Sequence, residues 1–229
     1  MDNKRNDICT IYLVRHGTTE WNKDLRYQGR ADNPLDEIGE RQGALLKDYF
    51  KEIPLDLGVT SPLKRAARTL EYCLASQKKP VPVIVEPDVI EIDFGEVDGM
   101  TGEEIREAYP EFYRLYVRNE DRSRAQAPGG DSTQQVYFRM RDAVLRIARE
   151  HPGENVVIAS HGTAIQCFLN YASGIPADRM RRFLLCNVSV SCAEIDRDGQ
   201  VTLKYIGDTH HIPEALQFSY GPAPGREHA

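Results

Sequence analysis

The sequence predicts an α/β fold: a three-layer α/β/α sandwich around a mostly parallel sheet, in one domain over 1–229 with a small helical lid at about 86–132. Three observations carry this expectation. Short β-branched apolar runs alternate with segments of helical spacing, the pattern of a parallel sheet covered on both faces. The 229 residues, 41% hydrophobic, are enough to bury one core and few for two. No linker or low-complexity segment divides the chain.

Ile8 to Val14, ICTIYLV, is short, apolar and β-branched, and reads as a buried strand. A polar loop rich in Gly, Asn, Asp and Pro follows from about Gly17 to Pro34. Asp36 to Phe50 has helical spacing, with Ile38, Leu45, Leu46 and Phe50 on one side. Leu57 to Thr60 is a second strand. Ser61-Pro62 then opens a helix, Ser as N-cap and Pro at the first position, with Leu63, Ala66, Ala67 and Leu70 on one face. Val81 to Val85 is a third strand. The stretch Glu86 to Ser132 holds short helical patterns at Gly102 to Arg106 and Pro110 to Arg118, then a turn at Pro128-Gly129-Gly130. A long helix over Ser132 to Glu150 points Val136, Met140, Val144 and Ile147 inward. A strand at Asn155 to Ala159 precedes a helix over Thr163 to Ala172. Val188 to Ile195 and Val201 to Ile206 alternate and pair across the Asp198-Gly199 turn. The tail from Ser219 to Ala229 is expected to fray.

A net charge of −6 argues against nonspecific nucleic-acid binding, yet a few local arginines can still make a basic pocket. The five cysteines are odd in number and none has CxxC spacing, so neither a disulfide framework nor a zinc ribbon is indicated, and a reducing compartment fits. The opening MDNKRNDICT has no signal-peptide h-region, and no apolar run reaches membrane-spanning length. The expectation is a cytoplasmic protein with no membrane partner. A P-loop, a GxSxG elbow and an HExxH pair are all missing from the sequence.

One internal echo organises the rest. IYLVRHGT (Ile11 to Thr18) and VVIASHGT (Val156 to Thr163) each run a strand into His-Gly-Thr. In an open parallel sheet, ligands bind beyond the carboxyl ends of strands at a switch in strand order. If the two strands are neighbours, His16 and His161 face each other across one pocket. Imidazole can attack phosphorus, and Arg15 offers a planar fork matched to phosphate oxygens. Gly17 would let the backbone approach a ligand. Lys64, Arg65 and Arg68 at a helix start oppose the macrodipole, which makes better sense with an anion nearby.

LVRHGTTEWN (Leu13 to Asn22), TSPLKRAART (Thr60 to Thr69), IEIDFGEVDG (Ile90 to Gly99) and ASHGTA (Ala159 to Ala164), in this order, resemble the histidine phosphatase superfamily, also called the phosphoglycerate mutase-like family. The resemblance covers nearly the whole chain. It implies that His16 is the nucleophile of a phosphohistidine intermediate, that Arg15, Arg65 and His161 surround the phosphoryl group, and that Glu91 is the general acid. Asp93, Glu96 and Asp98 lie close to Glu91, which is preferred on motif position alone. Asn22, Gln28, Gly29 and Gly162 are the substrate-binding candidates, with a loop-stabilising role as the alternative for Asn22, Gln28 and Gly29. No cofactor is required, and arginines flanking the histidines would repel a metal ion.

The implied activity is hydrolysis of a small phosphomonoester metabolite. Sugar phosphates, phosphoglycerates and the ribazole phosphate of cobalamin assembly are substrate candidates by resemblance. One rival is a 2,3-bisphosphoglycerate-dependent phosphoglycerate mutase; Glu91-Ile92-Asp93-Phe94-Gly95 resembles the phosphatase branch instead. Another is a non-catalytic phosphate-binding regulatory protein. Two departures touch substrate preference: Val97-Asp98 stands where the family often has Trp-Glu, and Gly130-Asp131-Ser132 where many members have Gly-Glu-Ser. Gly207 to Ile212 resembles a family segment whose histidine, here His211, reads as structural. Tyr109, Tyr113, Tyr116, Arg106, Arg118, Arg122 and Arg124 in the lid could recognise a polyanionic or sugar phosphate, or belong to a solvated amphipathic helix. A homodimer is compatible with the sequence, which does not reveal oligomeric state.

Overall fold

The computed structural model describes residues 7–180 and 182–217. The expected fraying of 219–229 lies outside that range. A six-stranded sheet forms the centre, in the order β3-β2-β4-β1-β5-β6. In chain order the elements are β1 (Cys9–Arg15), α1 (Glu20–Lys23), α2 (Glu37–Tyr49), β2 (Leu57–Thr60), α3 (Lys64–Leu74), β3 (Val83–Val85), α4 (Gly102–Ala108), α5 (Pro110–Phe112), α6 (Thr133–Glu150), β4 (Asn155–Ser160), α7 (Gly162–Ala172), β5 (Val190–Ile195) and β6 (Val201–Asp208). β3, β2, β4 and β1 are mutually parallel, and β5 runs antiparallel to both β1 and β6.

The side-chain period of two splits the core. Ile11, Leu13, Val156 and Ile158 pack on one face with α6 and α7, through Val136, Met140, Val144, Ile147 and Phe168. Val14, Val157 and Ala159 face the other way, onto Leu46 of α2, Phe50 at its C-cap, and Ala66 and Leu70 of α3. Helices therefore cover both faces, which makes the three layers.

Helix ends follow their caps. The Asp36 carboxylate accepts the Gly39 N–H at 2.7 Å and starts α2. A capping box, Thr101 with Glu104, starts α4, and another, Ser132 with Gln135, starts α6. The expected start of α3 needs correction. The helix begins at Lys64, and Ser61-Pro62 lies outside it. The Lys64 N–H is met at 2.8 Å by Asp32, a carboxylate 32 residues away that spacing alone does not reveal. That carboxylate is an anion near the basic cluster, and it belongs to the protein itself.

Two strands are shorter than expected. β3 begins at Val83 and is an exposed edge strand. β5 begins at Val190 because Val188 adopts φ +54° and gives its N–H to the Arg15 carbonyl. Within 86–132, Tyr113–Val117 forms a π-helical turn that buries Leu115 and Tyr116.

Candidate active site

β1 and β4 are adjacent and parallel, with Arg15 in register with Ser160. Their carboxyl ends therefore place His16 and His161 side by side, with ring centroids 5.2 Å apart. Of the two, His16 lines the floor of an open cleft. Arg15, His16, Asn22, Gln28, Glu91 and Gly162 line it. Arg65 and His161 lie fully buried just beneath that lining. Gly29 is not brought to the cleft. Its N–H goes to Asp98 at 2.8 Å and its carbonyl receives Arg65 at 2.7 Å.

The His16 backbone is fixed on both sides. Its N–H donates to Ser160 O at 3.0 Å, and its carbonyl accepts the Asn187 amide at 2.8 Å. His16 Nδ1 lies 2.7 Å from the Gly17 carbonyl, which can only accept. Nδ1 therefore carries the proton, and the Nε2 lone pair is left to act. Burial pushes the His16 pKa well below its ordinary 6.5, and the cations Arg65 and Arg15 push it further. The ring is neutral at physiological pH, the form that can attack phosphorus.

Gly17 has a different task from the one its position suggests. A Cβ there would stand 2.9 Å from Gly39 O, and a Cβ on Gly39 would stand 2.2 Å from Thr18 O. The two glycines let the loop after β1 lie directly on the start of α2. The ligand is not what demands small residues here.

Arg65 is aimed away from the surface that Lys64 and Arg68 occupy. Those two pair with Asp32 and with Glu40 and Glu71. Arg65 instead donates to Gly29 O and Ala31 O, both at 2.7 Å. The same loop is tied from behind by Asp98, whose carboxylate accepts the N–H groups of Gly29, Arg30 and Ala31. The aspartate that departs from the family pattern thus holds the loop that grips Arg65. Asp131, the other departure, likewise serves the scaffold: it accepts the Asp93 N–H at 3.0 Å and pairs with Arg30 at 3.2 Å.

His161 caps α7. Its Nε2 is 2.8 Å from Ser61 Oγ, which also accepts the Leu63 N–H at 3.3 Å. When the Ser61 hydroxyl donates to His161 Nε2, the histidine proton sits on Nδ1. Burial and the nearby charges of Arg65 and His16 drive the His161 pKa well below 6.5. His161 Nδ1, Arg65 Nε and Gln28 Nε2 are buried nitrogens without a hydrogen-bond partner among the described residues. Leaving a buried donor unmet costs about 1–3 kcal/mol, so three such nitrogens around one site favour an anionic acceptor there.

Glu91, like Asp98, is anchored by three backbone N–H groups. Its side chain accepts N–H groups from Thr163 and Ala164, both at 3.0 Å, and from Ile92 at 2.9 Å. The α7 N-terminus so fixes its direction. The carbonyls of Asp88, Ile90 and Glu91 each take a bond from Arg139, and that of Val89 takes one from Ser160. Asp93 and Asp98 are engaged with loop N–H groups, and Glu96 takes the Tyr109 hydroxyl.

Of the tyrosines and arginines singled out in the 86–132 segment, Tyr116 and Arg122 reach the cleft. Arg106, Arg118 and Arg124 are exposed elsewhere. Tyr116 is tied to the floor by a 2.6 Å hydroxyl contact with Thr163. His211 donates from Nε2 to Val188 O at 3.1 Å and so braces the turn that carries Asn187. Ser61, Asn187, Arg139 and Thr163 are the residues that the sequence reading left without a role in the site. Ser61 carried a signal that read as a helix cap, and Thr163 closed the second His-Gly-Thr segment. Among the described residues, no group of three or more His, Cys, Asp or Glu side chains is placed to hold a metal ion, and no helix is long and apolar enough to cross a membrane.

Known proteins share this architecture. The profile of the histidine phosphatase superfamily (branch 1) matches residues 11–208. Phosphoserine phosphatase 1 of Hydrogenobacter thermophilus is 34% identical over 90% of this chain and 96% of its own. Probable phosphoglycerate mutase GpmB of Cronobacter sakazakii is 32% identical over 90% of this chain and 95% of its own. Among solved structures, YhfR of Bacillus stearothermophilus superposes with a TM-score of 0.83 at 29% identity, covering 90% of this chain and 100% of that one. Phosphoserine phosphatase from Entamoeba histolytica, solved with 3-phosphoglyceric acid, gives a TM-score of 0.75 at 25% identity, with 90% of this chain and 100% of that one covered. The chain belongs to the histidine phosphatase superfamily, branch 1.

Proposed function

We propose that this protein hydrolyses a small phosphomonoester through a phosphohistidine on His16. The observation that carries the reading is the neutral His16 ring, its Nε2 free, beside buried guanidinium and imidazole nitrogens that lack an acceptor among the described residues. Phosphoryl transfer depends chiefly on positioning and charge neutralisation, and this floor supplies both.

In the proposed reaction, His16 Nε2 attacks phosphorus and the bond to the ester oxygen breaks. Arg15, Arg65 and His161 donate to the equatorial oxygens, with Asn22 and Gln28 at the margin. Glu91 gives its proton to the departing oxygen, which would otherwise leave as an alkoxide. The Glu91 carboxylate then takes a proton from water, and the hydroxide formed attacks the phosphohistidine. The P–N bond breaks, its electron pair returns to Nε2, and inorganic phosphate leaves. Gly162 carries no side chain, so Arg15 and Glu91 can approach the same space; a Cβ there would lie 3.4 Å from Arg15 Nε and 3.9 Å from Glu91 Oε2. The 86–132 segment acts as the roof over this floor, within one domain. Thiols at all five cysteines fit work in the reducing cytoplasm.

The test is phosphate release from a panel of phosphomonoesters at neutral pH with EDTA present, alongside His16→Ala. Release that survives EDTA and vanishes in the variant supports the reading. Conversion of 3-phosphoglycerate to 2-phosphoglycerate without release overturns hydrolysis in favour of a mutase.

A further inference from the structure

We propose that Arg139 and Ser160 are positioning residues for Glu91: they hold its backbone where the carboxyl meets the leaving oxygen, and so set how poor a leaving group the enzyme can expel. This rests on the reading of Glu91 as the general acid and goes beyond it in naming what keeps that acid in place.

The stretch from Glu86 to Glu91 carries one 3₁₀ turn, Pro87–Val89, and no strand. Its carbonyls therefore need partners from elsewhere in the fold. Two side chains meet four of them in a row. Arg139 Nη1 donates to Asp88 O at 2.7 Å and to Ile90 O at 2.8 Å, and Nη2 donates to Glu91 O at 3.3 Å. Ser160 Oγ donates to Val89 O at 2.7 Å.

Both donors stand on rigid elements. Ser160 is fully buried at the end of β4, and its own carbonyl takes the His16 N–H at 3.0 Å. One residue thus touches the backbone of the nucleophile and the backbone of the acid segment. Arg139 lies on α6, next to the core residue Met140, and Asp131 stands 4.0 Å from its Nη2. Arg146, two helical turns further on and so on the same face of α6, pairs with the Glu86 carboxylate at 2.6 Å. The acid segment is strapped to one helix at both of its ends.

Proton transfer is the reason the strap matters. The head of Glu91 is held by the N–H groups of Ile92, Thr163 and Ala164. Such bonds are stronger to a carboxylate than to a neutral carboxylic acid. The head is therefore held least firmly while Glu91 carries the proton it must give. Arg139 and Ser160 bond to backbone carbonyls, whose charge does not change during the cycle, so they hold the root of the side chain in both protonation states. Expulsion of the ester oxygen should depend on them more than the later hydrolysis of the phosphohistidine, where Glu91 is already a carboxylate.

The experiment measures two rates by rapid quench, phosphorylation of His16 and hydrolysis of the phosphoenzyme. The esters are glycerol 3-phosphate, a poor leaving group, and p-nitrophenyl phosphate, a good one. Arg139→Met and Ser160→Ala should each slow phosphorylation by glycerol 3-phosphate about 10- to 100-fold, the scale of an acid misplaced by about 1 Å. Phosphorylation by p-nitrophenyl phosphate and hydrolysis of the phosphoenzyme should stay within about threefold of wild type. Arg139→Lys, a point charge in place of the fork, should recover part of the loss. In a Glu91→Gln background neither substitution should slow glycerol 3-phosphate further, because both act through the same carboxyl. Equal losses on the two esters, or losses that multiply with that of Glu91→Gln, overturn the proposal and leave Arg139 and Ser160 as scaffold. Should Arg139→Met fail to fold, Ser160→Ala decides on the same comparison. If Glu91→Gln alone slows both esters alike, the acid role fails and this inference falls with it; if no ester phosphorylates His16, the phosphohistidine reading falls as well.

Discussion

The two His-Gly-Thr segments begin alike and end differently. After β1, the chain turns into a loop that lies against α2, and the His16 ring opens onto the cleft with Nδ1 held by its own next carbonyl. After β4, the chain turns straight into α7, and His161 is fully buried with Nε2 held by Ser61. The first glycine accommodates a backbone crossing, whereas the second opens a helix whose N–H groups hold Glu91. One tripeptide thus yields a ring open to the cleft in one place and a buried ring plus an anchored carboxylate in the other. The downstream chain, a loop in one case and a helix in the other, decides which role the tripeptide takes.

Substitutions can break this comparison, and the largest effect should come from His16. His16→Ala should lower kcat by about 10⁶-fold, the scale of losing a covalent nucleophile, with no acid-labile phosphoenzyme detected after rapid quench. His161→Ala should cost about 10²- to 10³-fold, as for removal of one charge-stabilising donor, and still form labelled phosphoenzyme. Equal losses with no phosphoenzyme in either variant would make the two histidines equivalent and sink the distinction. Glu91→Gln should cost about 10²- to 10⁴-fold on alkyl phosphates and far less on p-nitrophenyl phosphate, whose leaving group needs no proton. Equal losses on both would remove Glu91 from the acid role.

The glycines sharpen the comparison through stability. Gly39→Ala should lower stability by about 1–3 kcal/mol or more, because its Cβ would fall 2.2 Å from the Thr18 carbonyl. Gly162→Ala should leave the melting temperature nearly unchanged, since its nearest contact is 3.4 Å, while slowing turnover. A smaller effect is expected from pH. His16 and His161 have folded pKa values well below 6.5. Below about pH 6.5 the unfolded chain therefore binds protons that the folded protein refuses, and stability falls as pH drops. Urea titrations across pH 5 to 7 should show that decline in the wild type and a weaker one in His161→Ala.

Much of the fold was legible because β-branched runs and helical spacing are local. The strands around β1 and β4 and the long α6 all arise from residues close in sequence. The positions of His16, Arg15 and Glu91 at strand and loop ends were legible for the same reason, together with the motif order. The features that escaped were set by distant partners. The start of α3 depends on Asp32, the late start of β5 depends on Val188 at positive φ, and Ser61 meets His161 across 100 residues. Gly29 matched a pattern for ligand contact, yet Asp98 and Arg65 occupy both its polar groups. Nothing in the spacing of Arg139 on α6 shows the three carbonyls it reaches.

The short contact between Tyr116 and Thr163 joins the cover of the cleft to the residue whose N–H holds Glu91. Under the proposed mechanism, selectivity and proton delivery therefore share a mechanical link. An engineer who reshapes Tyr116 to admit a bulkier ester would then also retune the handling of a poor leaving group, and the two properties would drift together along any evolutionary path that passes through this position.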